Sequence, residues 1–508
     1  MQDTTSNNKR IAKNAIFLYM RMFISMAISF FTSRIVLQAL GVSDFGIYNL
    51  VGGVVVLMGM INGALTGATS RFLTFGLGLN DEKTLKDTFS TAFITHAVFS
   101  LIFLILAETI GLWVVNTQLV IPADRLIAAN WAYQSAIIST ALGITQVPYT
   151  SAITAHERFG VFAAIDIINS ILKLGIAFAV LYSSYDHLIE YSLLYMAVAI
   201  SIMLFYRIYC TQNFSECHIS KKFSLALFKK MISFTGWNLC GNLSLTISQQ
   251  GTNIIFNLFF GAVINAALGI ANQVMVACYS FTNNISVAFN PQIIKEWSKN
   301  NLQRVNELIT IGARFSSIVT LLFTVPIICN IHFLLGIWLD EVPNGTKAIC
   351  QITLISNFFN SFTPMAYTAI SASGEIKKVN IICSVIFILR LPIAYIILLF
   401  TESYTLVLAI CIYIPIASAF TYLKILKSKS STFSIRKFIT RTMVSTTLVG
   451  AIALLLCYIA SSYIQDDFTS FISTLLLSTT IICALSFTIL LDNKQRTFVK
   501  DTIKRKIN

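Results

Sequence analysis

The sequence predicts an all-α integral membrane protein: fourteen transmembrane helices forming two parallel six-helix repeats around a central cavity, plus two C-terminal helices. Three observations predict it. Long apolar runs recur along the whole chain, basic residues divide by side of the implied membrane, and the two halves of the chain repeat each other. With 56% hydrophobic and 11% charged residues, the composition is far from the soluble norm of about 25% charged.

The apolar runs fall at 14–34, 46–68, 88–114, 126–152, 160–182, 189–209, 232–257, 262–288, 308–329, 348–370, 379–400, 404–423, 442–462 and 470–491. Each has about the 20 residues needed to cross a hydrocarbon core. Of 36 Lys and Arg residues, 29 lie in the two tails and the even-numbered connections, counting Arg207 at the edge of the sixth run, five lie well inside spans, and only Arg125 and Lys347 lie in odd-numbered connections. Short basic loops stay cytoplasmic, so both termini are expected inside and residues near 44, 186, 342 and 466 outside. Residues 1–13 are polar and basic, but the span that follows is long, contains Arg21 and lacks a small-x-small cleavage site. It reads as a permanent first helix.

Residues 151–178 align without gaps to 368–395, with nine identities, and intramembrane Lys173 falls on intramembrane Arg390. Pro148 lies one place from the position of Pro364. Six helices per half is an even number, so both halves enter from the same side and the repeats are parallel. The expected division is 1–212, a cytoplasmic connection at 213–231, a second half at 232–428, and 429–508 holding the two added helices and a basic tail.

The net charge of +14 is spread over every even connection, a pattern that excludes a nucleic-acid face. Ten cysteines without a C-x-x-C pair argue against a disulfide framework or a metal site. No P-loop, H-E-x-x-H or nucleophile elbow is present, so ATP-driven pumping by this chain alone is excluded and no cofactor is expected. A membrane glycosyltransferase or polymerase remains the rival class, but it would need larger outside loops or catalytic carboxylates. Asp340-Glu341 and Asp466-Asp467 read as solvated turns.

Five basic residues lie inside spans: Arg21, Arg34, Lys173, Arg314 and Arg390. Burying such a charge costs about 3 kcal/mol, so it faces a cavity or a partner. Arg21, Arg34 and Arg314 lie near span ends, where snorkelling to an interface is an equal alternative. Lys173 and Arg390 lie deeper and are expected to be cationic posts toward one cavity. Asp166, seven residues before Lys173 on nearly the same face, is the candidate ion-coupling group. Glu108 is a second one, close to the outer end of its span.

Span seven carries Asn242, Thr246, Gln249, Gln250, Asn253 and Asn257 on one helical face, and span eight adds Asn272. Such a stripe is costly against lipid. It lines a cavity, where amides meet sugar hydroxyls, or it joins helices.

At RIVLQALGVSDFGIYNLVGGVV (34–55), SAITAHERFG (151–160), GNLSLTISQQGTNIIFNLFFG (241–261) and NPQI (290–293), the chain resembles the multidrug/oligosaccharidyl-lipid/polysaccharide exporter superfamily. With fourteen spans it is similar to the polysaccharide and O-antigen-unit flippase branch more than to twelve-span drug exporters. The resemblance implies a bacterial inner-membrane transporter that moves an undecaprenyl-diphosphate-linked oligosaccharide outward by alternating access. It implies membrane lipids as surroundings, a monomer, and a polysaccharide polymerase or chain-length regulator as a partner. An ion-coupled multidrug antiporter is the alternative within the same superfamily.

Overall fold

The computed structural model describes residues 2–490 apart from 59, 80, 120, 219–222, 340–341 and 465, together with Arg496. The basic stretches at Lys221–Lys222 and beyond 496, and the Asp340-Glu341 turn, lie outside the described residues. Among those described there is no strand. The chain forms two compact units, Met1–Leu239 and Cys240–Asn508.

The first unit holds α1 (Gln2–Met58), α2 (Met60–Leu79), α3 (Glu82–Leu106), α4 (Leu126–Ala155), α5 (Phe159–Leu181) and α6 (His187–Asn213). α1 is two helices joined at Gly41, whose φ of 73° and ψ of 169° break the helical path. Glycine reaches that conformation without a Cβ penalty. Asp81 and Asp186 cap α3 and α6 by accepting from the backbone N–H groups of their first turns, which otherwise have no partner. Beyond α3, residues 107–111 and 114–118 widen into π-helical turns. The buried Tyr133 hydroxyl donates to the Ala107 carbonyl there, at 2.7 Å.

α7 (Leu225–Ser298) runs across the boundary between the units, and spans seven and eight both fall within it. In the second unit follow α8 (Leu302–Cys329), α9 (Ile331–Trp338), α10 (Thr346–Asn360), α11 (Pro364–Ser373), α12 (Ile376–Ile388) and α13 (Arg390–Phe400). α14 (Tyr404–Ile410), α15 (Tyr413–Lys429), α16 (Ile435–Phe438), α17 (Ser445–Tyr463) and α18 (Asp467–Leu485) complete it. Leu321 and Val325 of α8, Val449 and Ala453 of α17 and Ile482 of α18 share one buried cluster, so the two C-terminal spans pack on span nine.

Among the described residues nine helical segments are long and apolar enough to cross a membrane. They cover expected spans 1, 3, 5, 6, 9 and 11 to 14. The other five expected spans are helical but differ in kind. Span 2 straddles the end of α1 and the start of α2, and spans 7 and 8 share α7. Span 10 is divided at Pro364, which starts α11 at its first position. Span 4 lies within α4, a single helix whose Asn130, Gln134, Thr145 and Gln146 dilute its apolarity.

Alternate connections gather into two sets. In the first unit Arg125 forms ion pairs with Asp44 at 2.5 Å and Asp186 at 2.6 Å, tying connections one, three and five together. The other set joins the N-terminal tail, connection four and connection six: Arg10 pairs with Glu157 at 2.9 Å, and His156 meets Glu216 at 2.6 Å. In the second unit Lys429 pairs with Glu375, and Asn306 donates to Thr432, linking connections eight, ten and twelve. Asn330, in connection nine, donates to Thr474 of α18 at 2.6 Å.

Candidate functional site

In the first unit, α1, α5 and α6 bring two polar groups to the faces of α5. Asp166 accepts from the Ser25 hydroxyl at 3.2 Å and lies 3.7 Å from an Arg21 amino group. Both side chains of the pair are partly exposed, at 24% for Arg21 and 34% for Asp166. The Arg21 guanidinium also stacks over the Phe162 ring, 5.0 Å from its centroid. A carboxylate held this way inside a span can exchange its arginine partner for a proton or a small cation.

Two helical turns along α5, Lys173 donates to the Tyr195 hydroxyl at 2.8 Å and sits 4.4 Å from that ring's centroid. Tyr195 packs beside Tyr191, which meets Tyr48 edge-on at 5.2 Å. Lys173 has no carboxylate partner among the described residues. Its charge is offset only by a hydroxyl dipole and a ring face.

Arg390, the repeat mate of Lys173, begins α13 immediately after the break that follows α12. Its guanidinium lies against the Cys411 thiol, and its buried Nε has no hydrogen-bond partner. It too pairs with no carboxylate among the described residues.

Arg314 occupies a different environment. It is buried at 8% exposure, and donates to the Thr442 hydroxyl at 3.3 Å and the Leu490 carbonyl at 2.9 Å. Those contacts fasten α8 to residues 439–444 and 486–490, the π-helical turns that flank the two C-terminal spans. Arg34 is exposed on the outer part of the first α1 segment. Glu108 accepts from Gln134 at 3.1 Å.

The stripe on α7 is present in the second unit. Asn242, Gln249, Gln250 and Asn272 are exposed, Thr246 donates to the Asn242 carbonyl, and Asn253 donates to Gln250 at 3.2 Å. The Asn257 side chain lies outside the described residues. Sequence reasoning missed Ser25, Tyr48, Tyr191 and Tyr195. The spacing of Tyr191 and Tyr195, four residues apart on α6, was a usable signal, whereas Ser25 and Tyr48 carry none. Among the described residues no His, Cys, Asp or Glu group is placed to hold a metal.

Residues 239–396 match the family model described as MatE. No match was found among curated proteins. A crystal structure of MATE in the straight conformation is similar at a TM-score of 0.71 and 13% identity, over 84% of this chain and 97% of that one. The fold is that of the MATE transporters. An outward-facing multidrug resistance MATE family transporter of the MOP superfamily gives a TM-score of 0.70 at 12% identity, over 84% of this chain and 97% of that one. A MOP superfamily transporter from Pyrococcus furiosus, described as having a binding pocket of reverse polarity that suggests a different function, gives 0.70 at 11% identity, over 84% of this chain and 96% of that one. These MATE-fold structures are matched nearly end to end, while this chain has residues to spare.

Proposed function

We propose that the protein is a membrane exporter that works as an ion-coupled antiporter of the MATE kind, moving amphipathic solutes outward by alternating access. The observation that carries this reading is the near end-to-end likeness to MATE structures, joined by the MatE match. Asp166 is the coupling group. Its carboxylate, shared between Arg21 and Ser25, changes partner when a proton or cation arrives, and loss of the ion pair loosens α1 from α5. The protein acts in a bacterial cytoplasmic membrane with both termini inside.

A second reading is favoured by a specific observation. Lys173 and Arg390 hold repeat-related positions, lie inside spans, and lack a carboxylate partner. Uncompensated cations suit an anionic cargo and repel cationic drugs. On this reading the cargo is a lipid-linked oligosaccharide: its diphosphate suits a cation such as Lys173, its sugars suit amides such as Gln249 and Gln250, and its polyprenyl tail stays in lipid. The chain then works as a monomer beside a polysaccharide polymerase or chain-length regulator. The two added spans on α17 and α18 fit this branch as well.

Deletion of the gene separates the two. Sensitivity to cationic dyes with intact surface polysaccharide supports the antiporter. Loss of surface polysaccharide with unchanged dye tolerance supports the flippase and overturns the antiporter.

A further inference from the structure

We infer that the first unit binds the phosphate of an anionic phospholipid in a lipid-facing groove whose inner end is marked by Arg207. Helices α3 and α6 both pack against α4 but hardly against each other. α4 is therefore the floor of a groove and the other two helices are its walls. The short turn Ser215–Cys217 packs on both walls and closes the inner end.

Arg207 reaches from the α6 wall across this groove. Its guanidinium lies 5.8 Å from the Phe93 ring of α3 and 5.7 Å from the Tyr149 ring of α4. One amino group donates to the Thr145 hydroxyl on the floor at 3.1 Å. The Nε–H is buried without a partner. Among the described residues the second amino group makes no hydrogen bond, and Arg207 pairs with no carboxylate. The head is thus fixed in place by rings and a hydroxyl, with donors to spare and its charge unmatched. Flanking it on α6, Leu204 and Ile208 are exposed at 47% and 53%, a surface suited to acyl chains.

Position selects the ligand. Arg207 lies two turns from the end of α6 at Asn213, near one end of a segment long and apolar enough to cross a membrane. Basic sites between helices at that level recruit anionic headgroups. Arginine forks onto phosphate oxygens, while the acyl chains follow the groove outward. A soluble phosphate would meet the same guanidinium but gain nothing from the apolar walls. The inference uses only the first unit and stands whichever cargo the protein carries.

The test uses full-length purified protein, delipidated in detergent and supplied with phosphatidylglycerol, phosphatidylcholine or inorganic phosphate. Bound lipid is read by native mass spectrometry and stability by thermal melting. A charge-assisted contact stronger than a neutral one by roughly 1.4 kcal/mol is a tenfold preference. Wild type is expected to retain phosphatidylglycerol over phosphatidylcholine about tenfold on that basis. Arg207→Gln should abolish the preference while melting unchanged in phosphatidylcholine, and Arg207→Lys should keep part of it. Equal retention of both lipids by wild type, or an unchanged preference in Arg207→Gln, overturns the inference. So does stabilisation by inorganic phosphate alone equal to that by phosphatidylglycerol. Should Arg207→Gln fail to accumulate, Thr145→Val and Arg207→Lys decide: reduced preference in both supports the site, full preference in both removes it.

Discussion

The hairpins at 151–195 and 368–413 share one design and differ in chemistry. In both, a helix ends at a residue with left-handed backbone, and the two residues occupy the same register: Glu157 at φ 58° and Gly374 at φ 87°. In both, a cation stands sixteen residues later: Lys173, which donates to Tyr195, and Arg390, which lies against Cys411. The differences lie between these points. Asp166 in the first hairpin corresponds to Cys383 in the second, and Gly175 to Pro392. α5 accordingly runs unbroken, while Pro392, with no N–H to donate, leaves α12 and α13 as separate helices. The Tyr413 hydroxyl takes up the Ile386 carbonyl at that break. Repetition fixed the positions of the cations; divergence gave the acid to one copy and the hinge to the other.

The comparison is broken most directly by removing both cations. Lys173→Ala with Arg390→Ala should lower flux of an anionic cargo by tenfold or more, taking roughly 1.5–3 kcal/mol for each charged contact. Membrane levels should hold, because alanine keeps both helices. Arg390→Lys should retain part of the activity. Full export by the double variant would return both residues to a structural role.

The acid is the next asymmetry. Asp166→Cys makes the first hairpin resemble the second, and should uncouple transport from proton or sodium gradients while leaving expression intact. Transport that keeps its full dependence on the ion gradient would remove Asp166 from the coupling role. Cys383→Asp is the reciprocal change and should not restore coupling in that background, since among the described residues Cys383 lies beside Tyr422 and Ser418 and no arginine pairs there.

The Arg125 node gives a smaller effect, on stability. Its two carboxylate partners hold the outer connections of the first unit, and Arg125→Ala should cost about 2 kcal/mol, from charge-assisted bonds at a partly exposed site. The Arg125 guanidinium, with help from the backbone N–H of Ile189 and Leu188, holds the Asp186 carboxyl below the usual carboxylate range. A depressed carboxylate stabilises the fold above its unfolded pKa and loses that contribution as pH falls through the folded value. Melting temperature should therefore drop on acidification below about pH 4 in wild type, near the ordinary Asp value, and less steeply in Arg125→Ala. Equal slopes would show that the pair contributes nothing.

What the sequence made legible follows from which signals are local. Arg125, an exception to the sorting of Lys and Arg, is the cation neutralised by Asp44 and Asp186. Pro364 and Pro392 stand at interruptions of runs that the sequence reads as continuous spans. Arg314 was not legible: it reads like the other intramembrane cations, but its partners are Thr442 and the Leu490 carbonyl, 128 and 176 residues away. A main-chain carbonyl has no side-chain signature, and those π-helical turns have no reliable sequence pattern.

The smallest effect concerns the shared turn. A non-glycine residue in left-handed backbone carries about 1 kcal/mol of strain, so Glu157 needs a reason to be there. That reason is its carboxylate, 1% exposed and paired with Arg10. Glu157→Gly should relieve the backbone and lose the pair, giving a net change near zero in melting temperature. Glu157→Ala keeps the strain and loses the pair, so it should be the least stable of the set. Gly374→Ala, with no pair to lose, should cost only the strain, about 1 kcal/mol. A Glu157→Gly protein that is as unstable as Glu157→Ala would show that the Arg10 pair, rather than backbone geometry, governs this turn, and that the two hairpins agree in shape without sharing a cause.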